Sequence, residues 1–450
     1  MSYPNLIDNY AAATKAELRK SIIQCKQQKA ITKATVESGP GARNESGALS
    51  GLEIPFKMGV PHGETALDVL GGTTSFEQFV APQADKMFVG LTQTGFTVEY
   101  EHFHEIDARG GKLPETKEDQ RDNVMLTYYQ HHNWYNIGIK TGAVAIVAAG
   151  GGGGSGTITF ANDNTARGRS KGSLRLAVSW STTAGKRIMY QSYTEATDTL
   201  TATFYITSKA STTTAVIVVT DAGTVVAGDV IVKYGHYKRV PYGFGYHINQ
   251  AARWYQGVNT TTHTMFNSRR VNGGGALVTP TLMDTAKGAK QIRANDTETG
   301  QKAICHLTQG NFKVLGAYDY GLREYNAEKG DFTKTIAVPG LFEDEDCIFA
   351  QDADMEDAYI YLRDRKSYFE YRQSPMQKIS KGEGTQYVGT NSRGSTEFYD
   401  NYGEAYNLAW DARGNDGSNK KGAGAPNSSV VIDNLTIPDI SQMAEGISLV

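Results

Sequence analysis

Two neighbouring stretches decide the fold: KMFVGLTQTGFTVEYEHFHEI at residues 86–106 and ETKEDQRDNVMLTYYQHHNWYNI at residues 115–137. In the first, apolar positions recur every second residue at Met87, Val89 and Leu91, and again at Phe96, Val98 and Tyr100, which is the period of a strand. Thr94-Gly95 interrupts the alternation, so the stretch predicts two strands joined there as a β-hairpin. The second opens behind Pro114 with a first turn of acids and then sets Val124, Met125, Tyr128, Tyr129, His132 and Tyr135 at three- and four-residue spacing. It predicts a helix of about six turns that stops at Gly138.

Working outward, residues 157–235 hold Thr- and Val-rich runs at 157–160, 174–180, 200–208, 215–220 and 229–232. Gly, Asp, Ser and Ala separate them, the spacing of a small antiparallel β module. The aromatic and glycine-rich segment 240–246 reads as loop. A helix over 280–294 with buried strands at 304–307 and 359–362 makes 276–372 a mixed α+β unit. The Gly/Asn/Ser/Lys-rich stretch 411–428 reads as loop before an apolar segment at 430–437. With no repeat of 20–50 residues in view, solenoids and propellers are excluded.

Towards the N-terminus the pattern fails. Residues 37–72 scatter Leu52, Ile54 and Phe56 among Gly, Ser, Pro and Asn, without a continuous apolar face. Loops beyond about 12–15 residues are uncommon inside a compact domain. Residues 1 to about 75 therefore read as an extended arm whose burial partner is another chain. Within it, Leu18, Ile22 and Cys25 recur at helical spacing while Lys15, Arg19, Lys20, Lys26 and Lys29 cover the other faces. With Lys33, these cations outnumber Asp8 and Glu17. The segment is either a solvated helix face or a contact for nucleic acid or an acidic partner.

The chain is 450 residues long, 21% charged, with a net charge of -3, which excludes both a globally basic nucleic-acid binder and an acidic disordered chain. Cys25, Cys305 and Cys347 are too few and too far apart for a disulfide framework or a cysteine metal site, so a reducing compartment is expected. No apolar run nears the roughly 20 residues a bilayer span needs, and the first residues lack a leader pattern.

Motifs for chemistry fail on their surroundings. Gly151, Gly153 and Gly156 fit G-x-G-x-x-G behind an apolar run, but Thr157-Ile158-Thr159-Phe160 continues as a strand where a dinucleotide site needs a helix N-terminus. The glycines read as a flexible linker. His102 and His104 share one face of a strand but lack a third ligand, and read as exposed. His131 and His132 should straddle the edge of the helix's apolar face, one half-buried and one solvated. The acids Glu343 to Asp346, with Asp352, Asp354, Glu356 and Asp357, fail as a calcium loop because Asp357 stands where glycine is required and Arg363 where the bidentate Glu is. They read as a solvated charge run. Cys305 and His306, adjacent on a strand, point to opposite faces and cannot activate one another. No catalytic residue, cofactor site or metal site emerges, and the chain reads as a non-enzyme.

The order of arm, hairpin, long helix, β-rich stretch and α+β unit resembles the major capsid proteins of tailed bacteriophages, the Hong Kong 97 fold. Val226-Ala227-Gly228-Asp229-Val230-Ile231-Val232 is similar to a strand that closes a β module in many such proteins. It is followed by Pro241-Tyr242-Gly243-Phe244-Gly245 and by Trp254-Tyr255-Gln256-Gly257-Val258-Asn259, which resembles the family's entry into the axial domain with Asn259 in place of the commoner Arg. Residues 276–293 and 301–306 resemble a helix and strand further on. The resemblance implies an α+β fold with an N-terminal arm over 1–80, an E-loop hairpin over 81–113, and a spine helix and peripheral segment over 114–156. An inserted β-rich module over 157–240, an axial domain over 241–345 and a return to the peripheral domain over 346–450 complete it. It also implies self-assembly into hexamers and pentamers of an icosahedral head around double-stranded DNA, in the virion after assembly in the host cytoplasm. Partners would be copies of the chain, nonspecific DNA, and scaffold, portal and decoration proteins, with no cofactor and no membrane. Phe96, Tyr100 and Phe103 become the candidate assembly interface, and Lys15, Arg19, Lys20, Lys26 and Lys29 the arm that faces nucleic acid or scaffold. The alternative is a β-rich phage fibre or adhesin, whose usual repeats and heptads are not seen.

Overall fold

The computed structural model describes residues 32, 35–38, 51–58, 83–90, 92–99, 117–139, 141–150, 155–161, 175–179, 182, 187–211, 213–291, 303–323, 341–343, 347–364, 367–378, 387–390, 396–410 and 429–436. The expected basic helix, Tyr100, His102, Phe103, His104 and the 411–428 loop lie outside them.

One sheet is organised around β20 (Thr396–Trp410). It pairs antiparallel with β18 (Tyr368–Lys378) from Tyr368↔Trp410 to Lys378↔Tyr402. The register shifts between Arg372 and Gln377, where Pro375 cannot donate to the ladder. The short β1 (Glu37–Ser38) lies parallel to β18. Tyr399 is opposite both Tyr387 of β19 (Tyr387–Thr390) and Glu99 of β4 (Thr92–Glu99), so those strands flank β20 on opposite edges. Tyr368 to Tyr371 and Ala405 to Trp410 are buried without alternation, because both faces of this sheet are covered.

A second, six-stranded sheet has the order β13 (Arg269–Asn272), β21 (Val430–Asp433), β17 (Ile360–Asp364), β14 (Ala303–Leu307), β16 (Cys347–Gln351), β15 (Leu341–Glu343). Its alternation is divided between two cores. Cys305, Leu307, Ile360, Leu362, Val430 and Ile432 join Met283 and Ala286 of the helix over Pro280–Gln291. Tyr361 and Val431, from the opposite face, join Tyr368, Leu408 and Trp410 of the first sheet.

The third unit is a closed six-stranded barrel: β5 (Ala145–Ala149), β6 (Ser155–Phe160), β7 (Met189–Thr194), β8 (Thr199–Lys209), β9 (Thr214–Val219) and β10 (Val230–Lys233), in the order β10-β5-β6-β9-β8-β7. Val147, Ile158, Tyr190, Phe204, Ile206, Ile217 and Ile231 fill it. The buried Asp229 carboxylate stitches its rim, accepting from Ser192 Oγ (2.9 Å), Thr194 Oγ1 (2.8 Å), Thr201 Oγ1 (2.7 Å) and the Val226 amide (3.0 Å). The expected β module is thus present but begins at Ala145, twelve residues before the expected 157. The glycines at 151–154, between β5 and β6, lie outside the described residues. Residues 176–179, expected as strand, are not strand: the Ala177 amide donates to the Tyr190 hydroxyl and the Ser179 amide to the Ile206 carbonyl.

The helix α1 (Lys117–Ile137) agrees with its sequence expectation and ends as a wedge. Trp134 packs into the barrel core and Ile137 into the core of the first sheet. The last turns are buried on nearly every side, which periodicity does not encode. His132, expected half-buried at most, is 1% exposed. The loop expected over 240–246 opens a short helix α2 (Phe244–His247) that seals the end of α1. The Gly245 amide donates to the Gly138 carbonyl, and a Cβ on Gly243 would stand 2.1 Å from the Tyr135 carbonyl oxygen. Further on, Gln256 (φ 48°) and Gly257 (φ 88°) form the left-handed pair that turns β11 (Trp254–Tyr255) into β12 (Val258–Asn259).

The expected hairpin is corrected. The strand β4 runs through Thr94-Gly95 without a turn, and it does not pair with β3 (Gln83–Gly90). β3 pairs with β2 (Gly51–Met58), and β4 with β20. The reason lies in residues 51–58, where Leu52, Ile54, Phe56 and Met58 alternate as a strand within a stretch that otherwise reads as loop. A partner upstream was available, and a ladder across 24 intervening residues costs little more to close than a short one.

Candidate functional site

Three local arrangements hold the N-terminal segment, α1 and the sheets in register. At the first, Thr32 is fully buried, and its amide and hydroxyl both donate to Asp352 Oδ2 at 2.9 and 2.7 Å. Asn133 of α1 donates its side-chain amide to the same oxygen (2.8 Å) and to Asp354 Oδ2 (2.9 Å). Arg175 donates to the Asp354 carbonyl and lies 3.3 Å from Glu356. Burial raises the Asp354 carboxyl above its usual range, opposed by the Asn133 hydrogen bond. The acids expected as a solvated run are therefore interior here: Asp352 is 0% exposed and Glu356 2%. Burial is tolerated because Asp352 and Asp354 accept hydrogen bonds from other segments and Glu356 is ion-paired with Arg175.

At the second, Arg363 of β17 is fully buried over the Phe244 ring. Its Nε donates to His306 Nε2 (3.0 Å), and one Nη donates to the Thr35 carbonyl and hydroxyl, both at 3.0 Å. Burial, then the adjacent guanidinium, holds His306 well below the usual histidine range, so it stays a neutral acceptor. Cys305 points to the opposite core, as its strand position requires. At the third, Tyr128 donates to Glu404 Oε1 (2.9 Å), and His132 is hydrogen-bonded through Nδ1 to the Tyr406 hydroxyl. These contacts fasten α1 to β20.

The arm reading is thereby corrected for its second half. Residues 32 and 35–38 and strand β2 have partners within the same chain, through Asp352, Arg363, β18 and β3. For Thr32 and Thr35 no local signal could have shown this, because Asp352 and Arg363 lie more than 300 residues away. For β2, whose partner β3 follows 24 residues downstream, the alternation of Leu52, Ile54 and Phe56 was the available signal.

The fourth feature is the β2–β3 ribbon. Eight residues pair with eight, from Gly51↔Gly90 to Met58↔Gln83, and among the described residues the ribbon pairs with no further strand. Leu52 lies opposite Val89 and Ile54 opposite Met87, so these positions share one face with Phe56 and Met58. Of the expected interface residues, Phe96 lies in β4 opposite Tyr402 of β20, while Tyr100 and Phe103 fall outside the described residues. Lys15, Arg19, Lys20, Lys26 and Lys29 fall outside them as well. Among the described residues no group of three His, Cys, Asp or Glu side chains could hold a metal ion, and no helix is long and apolar enough to cross a membrane.

Neither a protein-family model nor a curated protein matches this sequence. Among solved structures, the chain is similar to one in the cyanophage A-1(L) capsid asymmetric unit, at 11% identity and a TM-score of 0.48, over 95% of this chain and 99% of that one. It is similar to one in the cyanophage Pam1 capsid asymmetric unit, at 9% identity and a TM-score of 0.44, over 94% and 98%. It is also similar to one in the head of Helicobacter pylori bacteriophage KHP40, at 9% identity and a TM-score of 0.41, over 96% and 97%.

Proposed function

We propose that this chain is a shell subunit, the major capsid protein of a tailed phage with the Hong Kong 97 fold, assembling as hexamers and pentamers around double-stranded DNA. The observation that carries the reading is the β2–β3 ribbon, eight pairs long with a shared run of apolar positions and no further strand beside it among the described residues. An isolated two-stranded ribbon is marginal in water. It gains stability when laid on a neighbouring subunit, and many such modest contacts add up in a closed symmetric shell. The ribbon is the E-loop, with β4 anchoring it on β20. α1 is the spine helix, the β20 sheet belongs to the peripheral domain and the six-stranded sheet to the axial domain. The barrel is an added module.

The cationic residues Lys15, Arg19, Lys20, Lys26 and Lys29 face DNA or a scaffold protein, through charge and without reading sequence. Portal and decoration proteins complete the partner set, and the mature location is the virion, after assembly in the host cytoplasm. Sedimentation and negative-stain microscopy across salt and protein concentration test the reading. Rings of five and six subunits, or closed shells, are expected. A monomer that never assembles under any of these conditions overturns it.

A further inference from the structure

The chain enters the barrel through residues 138–144 and leaves it through 234–243, and these two connections touch. The Lys238 amide donates to the Thr141 carbonyl at 3.1 Å. Gly142, at φ 74°, packs so closely on the exit segment that a Cβ there would lie 3.0 Å from Val240 and 3.1 Å from the His236 carbonyl. Beside this crossing, α1 is tied to the barrel's exit by two side-chain links. Lys233 Nζ, at the end of β10, donates to His131 Nδ1 at 2.9 Å. One turn along the helix, the Tyr135 hydroxyl is hydrogen-bonded to His236 Nδ1 at 2.7 Å.

The groups that act on the two imidazoles are cationic or neutral. His131 meets Lys233 of β10 and His236 of the exit turn, and its ring lies tilted against that of Trp134, with centroids 4.6 Å apart. His236 meets Lys233 and Tyr135, and Tyr135 in turn meets Tyr190 of β7. Among the described residues no carboxylate acts on either ring. Burial first, and then Lys233, holds His131 well below the usual histidine range and His236 at about 4. Burial also lowers Lys233, to about 8. At neutral pH the cluster therefore carries one positive charge, on Lys233, and each histidine offers a lone pair.

We propose that this cluster is an acid-released latch between α1 and the barrel. Protonation of His131 removes the acceptor that takes the Lys233 proton and sets two like charges 2.9 Å apart. Protonation of His236 makes both of its ring nitrogens donors, so Tyr135 can no longer donate to Nδ1, and adds a third positive charge at the crossing. The released form, with its imidazoles in water near their ordinary value of about 6.5, binds protons more tightly than the latched form. Its share therefore rises as pH falls from about 6.5 towards 4.

Amide hydrogen exchange of the full chain at about pH 7.5 and about pH 4.5, corrected for intrinsic exchange rates, tests this. Peptides covering 138–144 and 234–243 should lose protection by about ten-fold at the lower pH while 202–206 of β8 keeps theirs. In the His131→Gln/His236→Gln variant, whose amides do not titrate, the acid-dependent loss should vanish. In Lys233→Met it should shrink, because the like charge is gone. Unchanged protection of both connections in the wild-type chain, or an equal loss in the double variant, overturns the latch. If the double variant is unfolded at neutral pH by circular dichroism, Lys233→Met decides, and an undiminished loss there overturns it.

Discussion

Thr32 gives both its amide and its hydroxyl proton to a single oxygen, Oδ2 of Asp352, across 320 residues of chain. Asn133 of α1 donates to the same oxygen, so one carboxylate joins the N-terminal segment, the helix and the turn after β16. A buried acceptor with three donors costs more to remove than any one hydrogen bond contributes, because every donor is left unsatisfied.

Asp352→Ala should therefore destabilise the fold by about 3–5 kcal/mol, the range for breaking a buried charged network. Asp352→Asn keeps an acceptor and should cost less. Denaturant midpoints measure both, and limited proteolysis should show earlier cleavage near residues 32–38 in the Ala variant. Equal stability of Ala and wild type would remove this node from the fold's energetics.

Arg363→Met is expected to cost a similar amount, about 3–5 kcal/mol, since His306 Nε2 and the Thr35 carbonyl both lose their donor inside the core. Arg363→Lys should rescue little, because one ammonium cannot span both partners as the planar fork does. The His306 value should rise in the Met variant, though burial, the larger cause, remains.

Gly243→Ala and Gly288→Ala should differ in sign. A methyl at Gly243 would meet the Tyr135 and Gly138 carbonyl oxygens at 2.1 and 2.3 Å, so α1 and α2 must separate, at a cost of about 1–3 kcal/mol or more. Gly288 sits within the Pro280–Gln291 helix with nothing within 4 Å of a new methyl, and alanine there should stabilise by about 0.5–1 kcal/mol. Paired thermal melts read the contrast.

Acid should weaken the subunit as its buried imidazoles are forced to take up protons. His247 is held at about 3 by burial first and then by Arg253, and His236 at about 4 by burial and then Lys233. Both lie below the unfolded value of about 6.5, so the unfolded chain binds the extra protons. Stability is full above about pH 6.5 and is lost as pH falls towards 4 and then 3. Urea midpoints at about pH 7 and about pH 5 should show the decline, and a flat profile would contradict buried neutral imidazoles.

Ile54→Ser with Met87→Ser, opposite one another in the ribbon, should leave the subunit's thermal midpoint nearly unchanged and abolish assembly. Parallel loss of folding and assembly would place the ribbon in the subunit's own stability.

Residues 115–137 alone determined α1, because acids behind Pro114 and a 3.6-residue apolar period are local signals that folding preserved. The same holds for the helix at Pro280–Gln291 and for most barrel strands, where β-branched alternation is read within a few residues. Strand pairing was another matter. β3 and β4 were both legible as strands, but which strand each joins depends on β2 and β20, and a period of two is silent about partners. The run Asp352, Asp354, Glu356 looked solvated because charge is normally solvated. Only the arrival of Thr32, Asn133 and Arg175 from distant segments makes those acids interior. Local periodicity is fixed by backbone geometry and burial of one face, so the sequence carries it. Partner choice, the glycine contacts at α1 and the buried polar nodes arise from long-range complementarity, which exists only once the chain has closed upon itself.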